Sequence, residues 1–138
     1  MITIRQATTQ DLPNMIAMDQ EIFGAYGADE DPAVIRGRLA VFPEGCAVLE
    51  TAETHEFVGY LTTEKWLTLQ EPELDKDPRK THHPDGRILC VTTFCIGTNY
   101  QNQGLGPRLL DYTITLAHTH HCTDIVLETA HAQRFYTR

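Results

Sequence analysis

The run Ile88 to Ile96 is apolar and rich in β-branched residues, and it leads through Gln101-Asn102-Gln103-Gly104-Leu105-Gly106 into apolar residues at helical spacing from Leu105 to His120. A strand that feeds a glycine-bearing turn and then a helix constrains this chain more than any other feature. It demands a sheet with a helix packed on it, and it creates a site at the turn. Backbone N–H groups in the first turn of a helix have no partner inside the helix and lie at the positive end of its dipole, so they attract phosphate oxygens. Glycine lets the main chain approach an anion closely and take up φ angles closed to other residues. A dinucleotide fingerprint would need glycine where Leu109 stands, and a Walker loop would need Gly-Lys-Ser/Thr; neither is present. What remains is Gln-x-x-Gly-x-Gly, which is either a phosphate turn or an ordinary strand-to-helix turn that needs two flexible residues.

The chain before this turn alternates between helix and strand signals. Ile2-Thr3-Ile4-Arg5 has the period of a half-buried strand, and Thr8 with Asp11 forms a capping box ahead of Leu12, Met15, Ile16 and Phe23. Asp31-Pro32 caps a second helix carrying Ile35, Leu39 and Phe42, which Pro43 and Gly45 end. Cys46 to Glu50 and Phe57 to Trp66 are strands, and the polar segment Thr51 to Glu56 joins them as a hairpin. Gln70 to Arg87, with its prolines, charges and histidines, is a long loop. After the glycine-led helix, Asp124 to Glu128 is a further strand.

This order, with Gln101, Gly104 and Gly106 at the turn and Ala132-Gln133-Arg134-Phe135-Tyr136 near the end, resembles the GNAT superfamily of N-acetyltransferases over nearly the whole chain. The resemblance implies one acyl-CoA-binding domain over 1–138. Its fold would be α/β (α+β): a mixed, mostly antiparallel central sheet flanked by helices and truncated after the start of the last helix. The family's usual continuation, a turn to Gly-Phe and two more strands, has no counterpart after Arg138. The strand Asp124 to Glu128 is therefore expected to present an open edge, which predicts a homodimer formed by edge pairing or swapping.

The implied reaction is transfer of an acetyl group from acetyl-CoA to a primary amine of a small molecule or peptide. By resemblance, Phe94, Cys95 and Ile96 would hold the pantetheine arm through backbone hydrogen bonds, as a sheet holds a guest strand. Gln101, Asn102, Gln103, Gly104, Leu105, Gly106 and Arg108 would hold the pyrophosphate, Pro107 having no N–H to give. A backbone N–H near Phe94 would stabilise the oxyanion. Attack requires a neutral amine, hence a base. Leu89-Cys90-Val91-Thr92-Thr93 holds no carboxylate, so Glu64 is the first candidate base and Glu128 the second, each alternatively a solvent-facing strand glutamate. Tyr136 is the candidate acid for the leaving thiolate, or else a packing residue. The acidic stretch from Phe23 to Asp31 would suit a cationic acceptor, unless it only caps a helix. The rival reading is a non-catalytic truncated GNAT-like module that serves in CoA binding or association.

Charge and composition exclude other classes. A net charge of −8 lacks the clustered Lys and Arg that nucleic acids require. No run approaches the length of a membrane span and no leader pattern opens the chain, so the expected location is cytoplasmic. Cys46, Cys90, Cys95 and Cys122 show no Cys-x-x-Cys spacing and read as buried thiols. Cys90 and Cys95, five positions apart on one strand, should face opposite sides of the sheet. His118, His120, His121 and Cys122 cluster at the end of the glycine-led helix, where only His118 with His121 or Cys122 has ligand spacing, so no metal is expected. His82 and His83 should be exposed.

Overall fold

The computed structural model describes residues 1–27, 29–70 and 76–127. Strand β1 (Ile2–Gln6) is followed by helices α1 (Leu12–Phe23) and α2 (Pro32–Val41), then by β2 (Ala47–Thr51) and β3 (Phe57–Trp66). A four-residue helix α3 (Pro78–Thr81) interrupts the long loop, which was expected to lack secondary structure. The chain continues through β4 (Ile88–Ile96), α4 (Leu105–Thr119) and β5 (Asp124–Leu127). Glu128, Tyr136 and the expected helix Ala132 to Tyr136 lie outside the described residues.

The strands form one sheet in the order β1-β2-β3-β4-β5. Every pairing is antiparallel except the parallel pair of β4 and β5. The expected mixed, mostly antiparallel α/β architecture is thus borne out. The capping box is also present: the Asp11 carboxylate accepts from the Thr8 N–H at 2.7 Å and from the Arg5 guanidinium at 2.8 Å. It opens a 3₁₀ turn (Thr9–Asp11) that runs into α1.

Two apolar layers sandwich the sheet. On one face, Leu105, Leu109, Leu116 and Ala117 of α4 pack against Leu49, Leu61, Leu89 and Val91. On the other, Met15 and Ile22 of α1 and Ile35 and Leu39 of α2 pack against Val48, Tyr60 and Cys95. Met15 and Ile35 are fully buried, and each such side chain is worth about 1.5–3 kcal/mol in apolar area removed from water. Sequence periodicity alone produces these layers, because α4 repeats its apolar residues at three and four.

The register shifts twice, between Leu49 and Glu50 where β2 meets β3 and again where β3 meets β4. Thr62 pairs with Thr93 but Thr63 pairs with Val91, so Thr92 is an extra residue in β4 and a β-bulge. Leu89 and Val91 point to the α4 side, which turns Cys90 to the α1/α2 side, the side on which Cys95 is buried. The two thiols therefore share a face, contrary to the period-two expectation. All four cysteines are free and buried, as expected.

His82 departs from its expected exposure. Its ring stacks on Phe42 with centroids 4.9 Å apart, and its Nδ1 accepts the Lys65 backbone N–H at 3.0 Å. Burial, with the Lys65 ammonium second, pushes its pKa down to about 4. The unfolded chain, with an ordinary value of 6.5, therefore takes up this proton first as the pH falls. The contribution of His82 is intact above about pH 6.5 and is lost as the pH drops towards 4. His82→Asn keeps an acceptor and removes the titration. Urea denaturation at pH 7 and pH 4.5 should show a stability loss smaller in this variant by about 1 kcal/mol, after discounting for partial exposure.

Candidate functional site

The turn between β4 and α4 is built from unusual backbone. Gly97 to Tyr100 closes a 3₁₀ turn, Asn102 takes φ +64° and Gly104 takes φ +77°. The side chain of Gln101 folds back so that its Nε2 donates to the Ile96 carbonyl at 3.1 Å, and Gln103 Nε2 donates to the Asn99 carbonyl at 3.3 Å. The two glutamines brace the turn from within. Among the described residues, the backbone N–H groups of Gln101 to Gly104 donate to no carbonyl. They adjoin the first turn of α4, whose N–H groups have no partner inside the helix, and left-handed Asn102 and Gly104 curve the main chain there into the kind of nest that can hold an anion.

A cleft of about 400 Å³ opens in front of this nest. Of the residues expected to hold the cofactor, it brings together Phe94, Cys95, Ile96, Gln101, Asn102, Gly104, Leu105 and Gly106, joined by Tyr100 and Pro107. Gln103 and Arg108 do not line it. The Arg108 guanidinium instead donates to the Ile2 carbonyl at 2.8 Å. The two glycines differ in purpose. Gly104 ends the turn in a left-handed conformation that other residues adopt at a cost. Gly106 is helical, and a Cβ added there would meet nothing within 4 Å, so no protein contact requires glycine and the space in front of it is open.

β4 supplies the second wall. Among the described residues it pairs with β5 from Ile88 against Asp124 to Val91 against Leu127, the last described residue of β5. Beyond Val91, β3 pairs with one edge of β4 as far as Ile96, while no described strand lies on the other. That open edge runs past Phe94 to Ile96 and ends at the nest.

Glu64 is 3% exposed, so the alternative of a solvent-facing glutamate is overturned. It pairs with Cys90 in register, and its Oε1 accepts the Trp66 indole N–H at 2.6 Å. Burial of Trp66 fixes that donor, which fixes the carboxylate. Glu64 lies two positions along β3 from Thr62, about 7 Å from the bulge. Its side chain turns to the α1/α2 face, as do Tyr60 and Thr62. Glu128 and Tyr136 fall outside the described residues.

A polar group that the sequence reading missed stands on the same face. Arg38 of α2 and Glu30 are both buried and form a two-pronged ion pair, with Nη2 to Oε2 at 2.7 Å and Nη1 bonded to Oε1. Arg38 Nη1 also reaches Thr93 Oγ1 at 3.5 Å, and Thr62 and Thr92 join hydroxyls at 2.7 Å, so the bulge is fastened from both flanks. Asp19 accepts the Glu30 N–H at 2.8 Å and the Tyr60 hydroxyl at 3.3 Å. Burial first, then the Asp19 carboxylate, holds the Tyr60 phenol well above its usual range, so it stays a neutral donor. The threonine doublets in apolar strands were the available signal. Within the acidic stretch, Glu30 is paired with Arg38, and Asp31 accepts the Ala33 N–H at 2.9 Å to cap α2, the alternative named for this segment.

The family model described as acetyltransferase (GNAT) family matches residues 12–138. Among solved structures, the loading GNATL domain of CurA from Lyngbya majuscula is similar, with TM-score 0.73 and 23% identity over 83% of this chain and 57% of that one. The GphF GNAT-like decarboxylase in complex with isobutyryl-CoA gives 0.72 and 20% identity over 83% of this chain and 58% of that one. Ard1 from Thermoplasma volcanium gives 0.69 and 18% identity over 99% and 79%. The chain thus spans under three fifths of the first two structures it matches. A search of curated proteins gives no match. No described helix is long and apolar enough to cross a membrane.

The two glycines can be separated by substitution. Gly106→Ala should stabilise the fold by about 0.5–1 kcal/mol, because it adds a helix-forming side chain in open space. Gly106→Leu should leave the melting temperature near wild type but fill the cleft and weaken CoA binding more than tenfold. Gly104→Ala should cost about 1–2 kcal/mol through its left-handed φ. Thermal denaturation and calorimetric titration with CoA read both effects.

Proposed function

The chain belongs to the acetyltransferase (GNAT) family, and on that premise we propose that it transfers an acetyl group from acetyl-CoA to a primary amine of a small molecule or peptide. The observation that carries this reading is the row of backbone N–H groups from Gln101 to Gly104 that donate to no partner among the described residues, at the start of α4 and beside the stretch of β4 from Phe94 to Ile96. The pyrophosphate of acetyl-CoA sits in the nest. The pantetheine arm runs along Phe94 to Ile96 and takes the place of a strand on that edge.

The thioester carbonyl then lies at the bulge. A backbone N–H near Phe94 stabilises the oxyanion, and one such donor is worth about 3 kcal/mol. The amine nitrogen attacks the carbonyl carbon, a C–N bond forms and the C–S bond breaks. Glu64 takes the amine proton, through one water given its separation from the bulge, while Trp66 holds its other oxygen. The thiolate leaves with a proton, for which Tyr136 is the proposed donor. Glu128 is the second candidate base. Glu64 is supported by its burial, its face of the sheet and its fixed carboxylate.

The proposed unit is a single domain. β5, with Leu127 half exposed, pairs on one side only among the described residues, which supports a homodimer formed along that strand.

Titration with acetyl-CoA, followed by thiol release from a panel of amines, tests the reading. Binding with turnover on at least one amine is expected, and absence of heat at millimolar acetyl-CoA would overturn it. Glu64→Gln should lower kcat about 100-fold while the KM for acetyl-CoA stays put. Light scattering on the eluted protein checks the dimer, and a single monomer mass at micromolar concentration would remove it.

A further inference from the structure

The histidines at the end of α4 take no part in acyl transfer, and no group of three or more His, Cys, Asp or Glu side chains among the described residues could hold a metal ion. His120 and His121 instead line a cavity of about 280 Å³ together with Lys65, Asp85 and Arg87. It lies where β4 begins. From there β4 runs roughly 25 Å to the cleft at Ile96, so the two sites are separate.

Three observations bear on what the cavity takes. The first is charge. Among the described residues, Lys65 and Arg87 form no ion pair, and the Lys65 ammonium has only the face of Phe42, 5.8 Å from the ring centroid. The chain carries 19 acidic residues against 11 Lys and Arg, yet Asp85 is the only carboxylate in this wall. Lys65 and Arg87 outnumber the one carboxylate of the wall, with Glu44 also acting on His120 from nearby, so the cavity carries a small local excess of positive charge against the overall sign. The second is donor capacity. The ring nitrogens of His120 and His121 make no hydrogen bond among the described residues.

The third observation is backbone. α4 closes with the Cys122 N–H on the Ala117 carbonyl at 2.8 Å and the His121 N–H on the His118 carbonyl at 3.2 Å. This is the bond pair for which glycine is the usual left-handed residue, but here His121 takes φ +61°. The position accepts strain that glycine would avoid, and in return it presents a ring to the cavity.

We propose that this cavity binds a phosphate group, with Lys65 and Arg87 as charged donors and His120 and His121 as ring N–H donors. A compact oxyanion matches a small polar cavity lined by two cationic residues, and charge-assisted bonds of this type are the strong ones. The proposal is independent of the acetyltransferase reading.

The test follows the ring resonances of His120 and His121 by NMR on the full chain. Inorganic phosphate, glycerol phosphate and, at equal ionic strength, chloride are titrated in. Saturable shifts with phosphate and none with chloride are expected. Tighter binding of glycerol phosphate identifies the occupant as a phosphate monoester, and equal binding identifies free phosphate. Lys65→Gln and Arg87→Gln should each weaken binding about tenfold, one lost charged contact apiece. His121→Gly should raise the melting temperature yet weaken phosphate binding. The proposal is overturned by shifts that chloride reproduces, by shifts that survive in the Lys65→Gln/Arg87→Gln variant, or by no shift at tens of millimolar phosphate.

Discussion

One extra residue in β4, Thr92, is the constraint on which the site depends. Where it enters, the ladder with β3 slips, and the strand turns its later side chains by one register. The edge from Phe94 to Ile96 is left for something other than a described strand. A regular β4 would put Cys95 on the α4 side and Phe94 on the other, and the cleft wall at the nest would be lost. The bulge thus sets which side chains of β4 face the cleft.

A bulge of this kind needs fastening. Three buried hydroxyls and a buried ion pair supply it: Thr62 with Thr92, and Arg38, braced by Glu30, near Thr93. Taking Arg38 and Glu30 out of water is expensive, and an apolar pair of similar volume would often be as stable. The pair therefore reads as a device for position more than for stability. It connects α2 and the segment before it to the strand that bears the site, with Asp19 and Tyr60 extending the connection to α1 and β3. In the same way, Trp66 holds Glu64 by one short bond, so the carboxylate is aimed by a residue two positions along its own strand.

The phosphate turn shows how far residue types alone can be read. Gln101, Gly104 and Gly106 mark a strand-to-helix turn with two flexible positions, which residue types alone leave as either a phosphate turn or an ordinary connection. The division of labour within the turn was not legible. Gln101 bonds to Ile96 at the end of β4 and Gln103 to Asn99 of its own loop, and both glycines face open space, but only Gly104 is required by a left-handed φ. Such assignments depend on where neighbouring atoms fall, which spacing does not encode.

By itself the sequence determined the order of the five strands and of α1, α2 and α4, the two apolar faces of the sheet, the capping box ahead of α1 and the cap of α2, and the glycine-bearing turn before α4. Each of these follows from local periodicity, capping chemistry or glycine, all of which act within a few residues along the chain. Only the tertiary structure decided the bulge and the shared face of Cys90 and Cys95, the burial of Glu64 under Trp66, the neutralisation of Glu30 by Arg38 and the packing of His82 on Phe42. Those outcomes depend on contacts between residues far apart in the chain, where register and burial, rather than residue type, fix which charge meets which partner.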